Sequence, residues 1–403
     1  MSTMKALPGS RRRVLIIVEN LPLPFDRRVW QEALALRDDG CEVSIICPKG
    51  HGYTKSYELH EGIRIYRHPL PVEADSALGY GLEYTLSLLW EFVLTVRIGL
   101  TRGFDVIQAC NPPDTIFLIG RFFKLFGKRF VFDHHDINPE LYEAKFKRRD
   151  VWYRMLLRLE RWTFATADVS IATNESYRTI AIDRGGMDPT RVFVVRSGPD
   201  LRRVQHLPPR EELRRGRRHL VCYVGVIGKQ EGLDLLLQSV AHIRGKMGRD
   251  DVQFVVVGDG TELASIRTLS AELGIDDCVE FTGRVPDRDL WQILGTADVC
   301  VNPDRANEMN DKSTMNKILE YMALGKPIVQ FDLTEGRVSA GSASLYAKAN
   351  DTTDFAQKLC ELLDDAALRE QMGREGRRRV EADLAWHHQV PVLLAAYSKA
   401  FER

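Results

Sequence analysis

The sequence predicts an α/β protein of two doubly wound parallel-sheet domains, and three observations predict it. The chain has 403 residues, enough for two cores of about 200 residues each. Its apolar residues come in short continuous runs, each followed by a turn and a helical pattern, as expected of parallel strands covered on both faces. Between 198 and 219 the composition turns to Pro, Arg and Glu with few large apolar residues, as a linker does.

The run VLIIV at 14–18 is the first strand, followed by a Pro-rich turn at 21–25, an amphipathic helix over 28–38 that stops at Gly40, and a strand over 41–47. Strands at 63–66, 105–109, 129–132, 168–172 and 192–195 continue the series, with helices over 82–100 and 114–126. The second half holds strands at 221–224, 253–257, 279–281, 299–301, 328–331 and 344–346, each but the last followed by a helical pattern. The expected division is 1–205 and 206–384. Two such domains side by side would face each other across a cleft at the carboxyl ends of their strands, where these sheets bind ligands.

Lys+Arg and Asp+Glu both number 56, so no global charge argues for nucleic acid as a partner. The seven cysteines stand singly, with no C-x-x-C and no His pairing at zinc spacing, which indicates neither a disulfide framework nor a metal site and fits a reducing cytoplasm. Residues 1–13 read as a disordered tail without an apolar core, and the longest apolar stretch, 84–100, is interrupted by Glu91 and Arg97. Neither a signal peptide nor a spanning helix is expected.

Chemistry concentrates at strand ends. In the segment 310–329, Ser313 or Thr314 is a good helix N-cap, Gly325 a good stop, and Pro327 follows. Met315, Ile318, Leu319 and Met322 would bury, while Ser313, Asn316, Lys317 and Glu320 share the other face over roughly 10 Å. That face suits a diphosphate at the helix N-terminus and a sugar diol at Glu320; the same spacing serves a solvated polar face. Three more loops converge on the same sheet end: 225–232 with Gly225, Gly228 and Lys229, then Gly258-Asp259-Gly260, then Gly283-Arg284-Val285. Glycines there let backbone approach a phosphate closely, Lys229 can neutralise it, and the Gly-Arg step suits backbone contact with a base.

In the first half, Asp133-His-His-Asp136 ends a buried strand, and a His there can act as acid, base or hydrogen-bond anchor near neutral pH. Asp26, Arg27 and Arg28 put charge on the same rim. The stretch 145–162 carries seven basic residues against two acidic ones, with Trp152, Met155, Leu156, Leu159 and Trp162 near one helical face. It reads equally as an interfacial helix touching a membrane or as a core-packed helix with a charged outer side.

Taken in order, Phe25-Asp-Arg-Arg-Val-Trp-Gln-Glu-Ala33, Asp39-Gly-Cys-Glu-Val43, Asp133-His-His-Asp136, Ser197-Gly-Pro-Asp200, the 225–232 loop, Val257-Gly-Asp-Gly260, Phe281-Thr-Gly-Arg-Val285 and Leu319-Glu-Tyr-Met-Ala-Leu-Gly-Lys-Pro-Ile-Val329 resemble the retaining GT-B glycosyltransferases of family four. That group includes sucrose-phosphate and glycogen synthases and many bacterial cell-surface polysaccharide enzymes. The resemblance covers nearly the whole chain. It implies two Rossmann-like domains, with a final helix at about 385–403 crossing back onto the first. It implies a nucleotide-diphosphate sugar held by the second domain, a glycan or polyprenyl-linked acceptor on the first, no cofactor and no required metal. The implied chemistry is front-face transfer with retention, in which the leaving diphosphate helps to deprotonate the acceptor. The setting it suggests is the cytoplasm, or the inner face of the cell membrane.

Glu320 falls where the second glutamate of the family's E-x7-E signature binds the ribose, His135 where a histidine contacts the donor sugar, and Asp136 where an acidic neighbour follows. Two departures stand out. Ser313 is taken to replace the first glutamate, and Val226 and Glu231 replace the Arg and Lys phosphate pair. Lys229, Lys317 and helix amides are therefore expected to share the diphosphate. Two rivals remain: a nucleotide-sugar 2-epimerase of the same fold, which would act on donor alone, and a silent binding subunit, consistent with the missing glutamate.

Overall fold

Continuous apolar runs bury on both faces when they pair in parallel, and both sheets of this protein are built that way. The computed structural model describes residues 12–69 and 77–402, so the expected N-terminal tail lies almost wholly outside the described residues. The chain forms two units, one of Met1–Glu143, Arg148–Arg196 and Val390–Arg403, the other of Ala144–Lys147 and Ser197–Gln389.

The first unit runs β1 (Arg13–Val18), α1 (Arg27–Asp38), β2 (Glu42–Pro48), β3 (Tyr57–His60), β4 (Ile63–His68), α2 (Ala77–Thr101), β5 (Val106–Cys110), α3 (Phe117–Lys124), β6 (Arg129–His134), α4 (Asn138–Phe146), α5 (Val151–Thr166), β7 (Val169–Ala172), α6 (Glu175–Thr179) and β8 (Val192–Val194). The sheet order is β3-β4-β2-β1-β5-β6-β7-β8. β1 lies near the centre, with Val14 between Val43 of β2 and Val106 of β5. Leu15, Ile16 and Ile17 are fully buried, and each such side chain stabilises the fold by about 1.5–3 kcal/mol. Asp26 caps α1 by accepting from the Val29 amide at 3.1 Å, and the chain leaves the helix at Gly40.

β3 is the one strand with no counterpart in the expected series. It pairs antiparallel with β4 at the sheet edge, and its residues alternate between exposed and half-buried, so it lacks the continuous apolar run that marks the other strands.

The second unit runs β9 (His219–Val224), α7 (Leu233–Gly245), β10 (Val252–Val257), α8 (Leu263–Glu272), β11 (Val279–Gly283), α9 (Asp287–Thr296), β12 (Val299–Asn302), α10 (Glu308–Lys312), α11 (Asn316–Ala323), β13 (Ile328–Phe331), α12 (Thr334–Ala340), β14 (Ser344–Ala347), α13 (Thr352–Asp364) and α14 (Ala366–Arg379), followed by α15 (Trp386–Phe401), most of which belongs to the first unit. Its six strands lie in the order β11-β10-β9-β12-β13-β14, all parallel. One core holds Phe254, Val301, Phe331 and Phe355; the other, on the opposite face, holds Cys222, Trp291, Ile318 and Met322.

Three expectations need correction. The division falls after Arg196, not at 205, and the chain rejoins the first unit at Val390, not 385. Leu201, Val204, Leu207 and Leu213 of the supposed linker pack against the second unit's core; few apolar residues suffice where each lands on an existing hydrophobic face. β14 is followed by a helix after all, α13, whose N-cap Asp351 accepts from the Thr353 and Asp354 amides. Within the first unit the end of α15 is held by Tyr397, whose hydroxyl donates to Gln108, and by Arg12 stacked over Phe401.

Candidate active site

β6 delivers Asp133 and His134 at its carboxyl end, and alternation along the strand sends these two side chains to opposite faces. His134 is fully buried among the rings of Phe132, Phe164 and Tyr177. Burial, helped by Arg184, drives its pKa down to about 3, so it is a neutral packing residue. His135 is the histidine left for chemistry.

His135 is held from below and behind. Its Nε2 lies 2.6 Å from Asp133 Oδ2 and 3.0 Å from Arg28 Nε. One ring nitrogen cannot donate to the first and accept from the second, and the shorter, charge-assisted contact to Asp133 prevails. Burial opposes the imidazolium, but Asp133 outweighs it and raises the pKa of His135. With Nε2–H committed to Asp133, Nδ1 is the nitrogen with no hydrogen bond among the described residues. The His135 and Asp136 amides both donate to Asn111 Oδ1, at 2.7 and 3.1 Å. Asn111 Nδ2 donates to the Asp136 carbonyl at 2.7 Å and to Asp114 at 3.0 Å.

Arg28, expected on the rim beside Asp26 and Arg27, is instead buried. It bonds Asp133 at 3.0 Å, Glu32 at 3.1 Å and the Val195 carbonyl at 2.8 Å. Its desolvation is offset by two carboxylates, which is the condition for a buried guanidinium. Asp26 is the N-cap of α1 and Arg27 is exposed. Gln108 completes the network, donating to Glu32 at 2.8 Å and Asp133 at 2.9 Å. Cys110, Asp133 and His135 offer ligand atoms within 4.8 Å of one another, but Arg28 already supplies the positive charge there and would repel a metal cation. Asn111, Asp114, Gln108 and Glu32 escaped the sequence reading; polar breaks in the run VIQAC and the strand-end Asn-Pro-Pro-Asp were the available signals.

In the second unit the glycine loops are stitched together by backbone. Gly258 has φ +141, and a Cβ there would lie 1.8 Å from the Gly225 carbonyl oxygen, so only glycine lets the β9 and β10 loops meet. Ile227 N donates to the Asp259 carbonyl at 3.0 Å and Gly258 N to the Gly283 carbonyl at 3.0 Å. Asn310 Nδ2 bonds the Gln230 carbonyl at 2.9 Å, joining the β12 loop to the same cluster. Gly228, Lys229, Gly258, Asp259, Arg284 and Val285 thus all sit along the carboxyl edge of β9, β10 and β11, with Lys229, Asp259 and Arg284 exposed.

Comparison with known proteins bears on this arrangement directly. Residues 26–198 match the glycosyl transferase 4-like domain and residues 218–365 match glycosyl transferases group 1. The chain carries both domains of a GT-B glycosyltransferase. It is 25% identical over 288 residues to the 2-deoxystreptamine glucosyltransferase of Streptomyces kanamyceticus, covering 68% of this chain and 72% of that protein. It spans about half the length of the D-inositol 3-phosphate glycosyltransferases it also matches, 53–57%. Among solved structures it is similar in fold to the sucrose-phosphate synthase of Thermosynechococcus elongatus, with TM-score 0.78, 18% identity and coverage of 97% and 99% of the two chains. It also resembles Anabaena Alr3699/HepE in complex with UDP and glucose, with TM-score 0.74, 14% identity and coverage of 96% and 100%.

The α11 region of this glycosyltransferase differs from expectation in three ways. The helix begins at Asn316 with Met315 as N-cap and no capping side chain, because Ser313 is drawn away: its hydroxyl donates to the Met309 carbonyl at 2.7 Å, as the C-cap of α10. Ser313 is therefore not on the face shared by Asn316, Lys317 and Glu320. Seven residues intervene between Lys312 and Glu320, so Lys312, not Ser313, occupies the place of the first signature glutamate; it pairs with Glu308 at 2.7 Å. Lys317 is not a solvated cation. It bonds Asp304 at 2.7 Å and lies 4.8 Å over the Tyr223 ring. Burial opposes its charge, but Asp304 outweighs that and raises its pKa. Asn316 is exposed, and Glu320 is half-buried on the turn that follows it.

A second buried network behind β6 sets a pH dependence. Arg184 bonds Glu140 at 2.5 Å and Glu160 at 2.6 Å. Burial, partly offset by Arg184, pushes Glu160 up to about 7. Burial, partly offset by Asn138 and Asn111, pushes Asp114 up to about 6. A carboxyl raised on folding contributes stability that is present below its unfolded value of about 4 and lost as pH rises through the folded value. His134 is shifted the opposite way, so its contribution is lost as pH falls below about 6.5. Below about pH 6 the two carboxyls together outweigh the one histidine, and above about pH 7 all three groups carry the same charge folded and unfolded. The urea midpoint followed by fluorescence is therefore expected to fall between about pH 4 and 7 and to level off above that, and Glu160→Gln to flatten the slope. An unaltered slope in that variant would clear Glu160 of responsibility.

Proposed function

We propose that this glycosyltransferase moves a hexosyl unit, with retention, from a nucleotide-diphosphate sugar to a hydroxyl of a glycan or lipid-linked acceptor. Its setting on this reading is cell-surface polysaccharide synthesis at the inner face of the membrane. The observation that carries the donor assignment is the carboxyl edge of the β9–β12 sheet. Three glycine-bearing loops meet there backbone to backbone, beside a helix N-terminus whose N-cap residue, Met315, has no side chain that can accept from its amides. Free amides at a helix start favour an anionic ligand. Lys317 adds a fixed positive charge, Lys229 and Arg284 add exposed ones, and Glu320 can accept from a ribose diol. That HepE is known in complex with UDP and glucose supports a nucleotide-sugar donor of this kind.

On this reading the first unit contributes His135. Fixed with Nε2–H toward Asp133, its Nδ1 can accept from a donor-sugar hydroxyl or carry a proton near the reacting carbon, and Asp136 follows on the same clamped backbone. The departing diphosphate, stabilised by the second unit's cations and amides, takes the acceptor proton as the new bond forms, so configuration is kept.

Glu320→Ala is expected to weaken nucleotide-sugar binding by roughly 10- to 100-fold, the equivalent of a charge-assisted hydrogen-bond pair at about 1.5–3 kcal/mol, with an unchanged melting temperature. Calorimetry with nucleoside diphosphates and their sugars measures it. An unchanged dissociation constant refutes the ribose assignment. Incubation with donor alone tests the reaction: a change of sugar configuration without acceptor would favour an epimerase. No enzyme-dependent turnover of any donor would favour a binding subunit, for which Lys312 in place of the first glutamate speaks. Retention is read from the anomeric proton coupling of the product.

A further inference from the structure

Among its described side chains, from 85 on, α2 buries an unusually polar face: Ser87, Glu91 and Thr95 are fully enclosed beside Ile98, while Leu89, Trp90 and Val93 face outward, Trp90 at 44% exposure. A helix on the surface of a water-soluble domain shows the reverse pattern, because burying a carboxyl costs free energy and exposing a tryptophan forgoes it. Burial, reinforced by the charge of Glu19, holds the Glu91 carboxyl well above the usual carboxylate range. The outward face of α2 is therefore matched to an apolar surround.

That face does not stop at α2. Phe92 of α2 packs on Phe122 of α3 with ring centroids 5.2 Å apart, and Phe117 of α3 packs on Trp162 of α5 at 6.2 Å. The three helices are thus contiguous. Just past α3, Leu125 is 81% exposed and Phe126 64%, and on α5 Trp152 and Trp162 are about half exposed. An apolar surface spread over three neighbouring helices, with three tryptophans in it, exceeds the scattered exposed residues of an ordinary surface.

Charge decides what covers it. Arg97 of α2, Arg121 of α3, and Arg154, Arg158 and Arg161 of α5 all stand exposed around the apolar residues. Among the described side chains of these three helices the two carboxylates, Glu91 and Glu160, both point inward. A second copy of the chain docked about a two-fold axis would set this one-signed rim against itself. An anionic bilayer surface complements both the arginines and the aromatic belt. No helix among the described residues is long and apolar enough to cross a membrane, so the surface would lie on the bilayer.

We propose that the outward faces of α2, α3 and α5 form one lipid-docking surface for an anionic membrane, with Trp90, Leu125, Phe126, Trp152 and Trp162 entering the interface. This extends the membrane setting proposed above, and it moves the contact from the 145–162 stretch alone to a three-helix face. Part of that stretch is less available than its composition suggests, since Arg148 pairs with Asp150 at 3.3 Å and Arg149 with Glu143 at 2.8 Å. Arg154, Arg158 and Arg161 make no ion pair among the described residues.

The full chain is sedimented with phosphatidylcholine vesicles, with and without phosphatidylglycerol. The parent is expected to bind the anionic vesicles more tightly. The variant carrying Arg154→Glu, Arg158→Glu and Arg161→Glu should lose about five-fold per arginine, on the order of 10²-fold in all, on anionic vesicles only. Leu125→Ser with Phe126→Ser should lose about ten-fold or more on both. All these positions are exposed, so melting temperatures should stay within a degree or two of the parent, and tryptophan quenching by brominated lipid reports insertion in the unaltered protein. If the parent binds and both variants bind equally well while folded, the three-helix surface is wrong although the membrane setting survives. If the parent binds no vesicle, the membrane setting fails with it. Self-association of the parent that both variants abolish, without vesicle binding, would overturn the proposal in favour of an interface between copies.

Discussion

His135→Ala is expected to lower turnover by about 10²-fold or more while leaving the donor dissociation constant nearly unchanged. The side chain is fixed by Asp133 at 2.6 Å and its backbone by Asn111 at 2.7 Å, so an imidazole is presented in one orientation without cost at the moment of reaction. The groups assigned to the nucleotide, Glu320, Lys317 and the glycine loops, all belong to the second unit, which leaves His135 to act on the sugar as charge develops. His134→Ala makes the contrast. That ring sits in the core among Phe132, Phe164 and Tyr177, so its loss should lower stability by about 2–4 kcal/mol and turnover only in proportion to unfolding. Steady-state kinetics and calorimetry on the two variants separate these outcomes. Equal losses of binding and turnover in His135→Ala, or full activity, would remove His135 from the chemical step, and Asp136 would be examined next.

Lys317→Ala is expected to destabilise the second unit by about 3–5 kcal/mol, because it strands Asp304 as an uncompensated buried carboxylate. Asp304 is 2% and Lys317 11% exposed at the side chain, so little water can take the lost partner's place. Replacing both, with Lys317→Met and Asp304→Leu, should recover most of that stability, since a well-packed apolar pair can match a buried ion pair. Donor affinity should not recover, because the positive charge beside α11 is gone. Chemical denaturation followed by titration with a nucleoside diphosphate distinguishes the two effects. A double variant that binds the diphosphate as tightly as the parent would show that Lys317 is structural only.

The strands were legible because a parallel sheet buried on both faces leaves an uninterrupted apolar run, as VLIIV of β1 and VQFVVV of β10 show. β3 was not, because an edge strand with one wet face has no such run. The glycine loops were legible as turn chemistry at strand ends, and the resemblance is what singled out His135 and Glu320 as candidates. Asn111 and Gln108 were not, since a polar residue in or after an apolar strand says nothing about what it will hold.

By itself, then, the sequence determined the two α/β series, the order of their strands along the chain, the ends at which polar groups gather, and the family resemblance. Those follow from local propensity and short-range periodicity. Only the tertiary structure decided which of the gathered groups are solvated and which are paired. Arg28 and Lys317 both stand at positions where helical spacing suggests an open polar face. Arg28 is committed to Asp133, 105 residues away, and Lys317 to Asp304, 13 residues away across a loop. A charged side chain is buried or exposed according to whether a counter-charge meets it in space, and that partner is chosen by strand order and loop packing rather than by neighbours in the chain. The same holds for His134 and His135, adjacent in sequence: the last residue of β6 turns into an aromatic core, and the next, just past the strand's end, is held by Asp133 and Asn111.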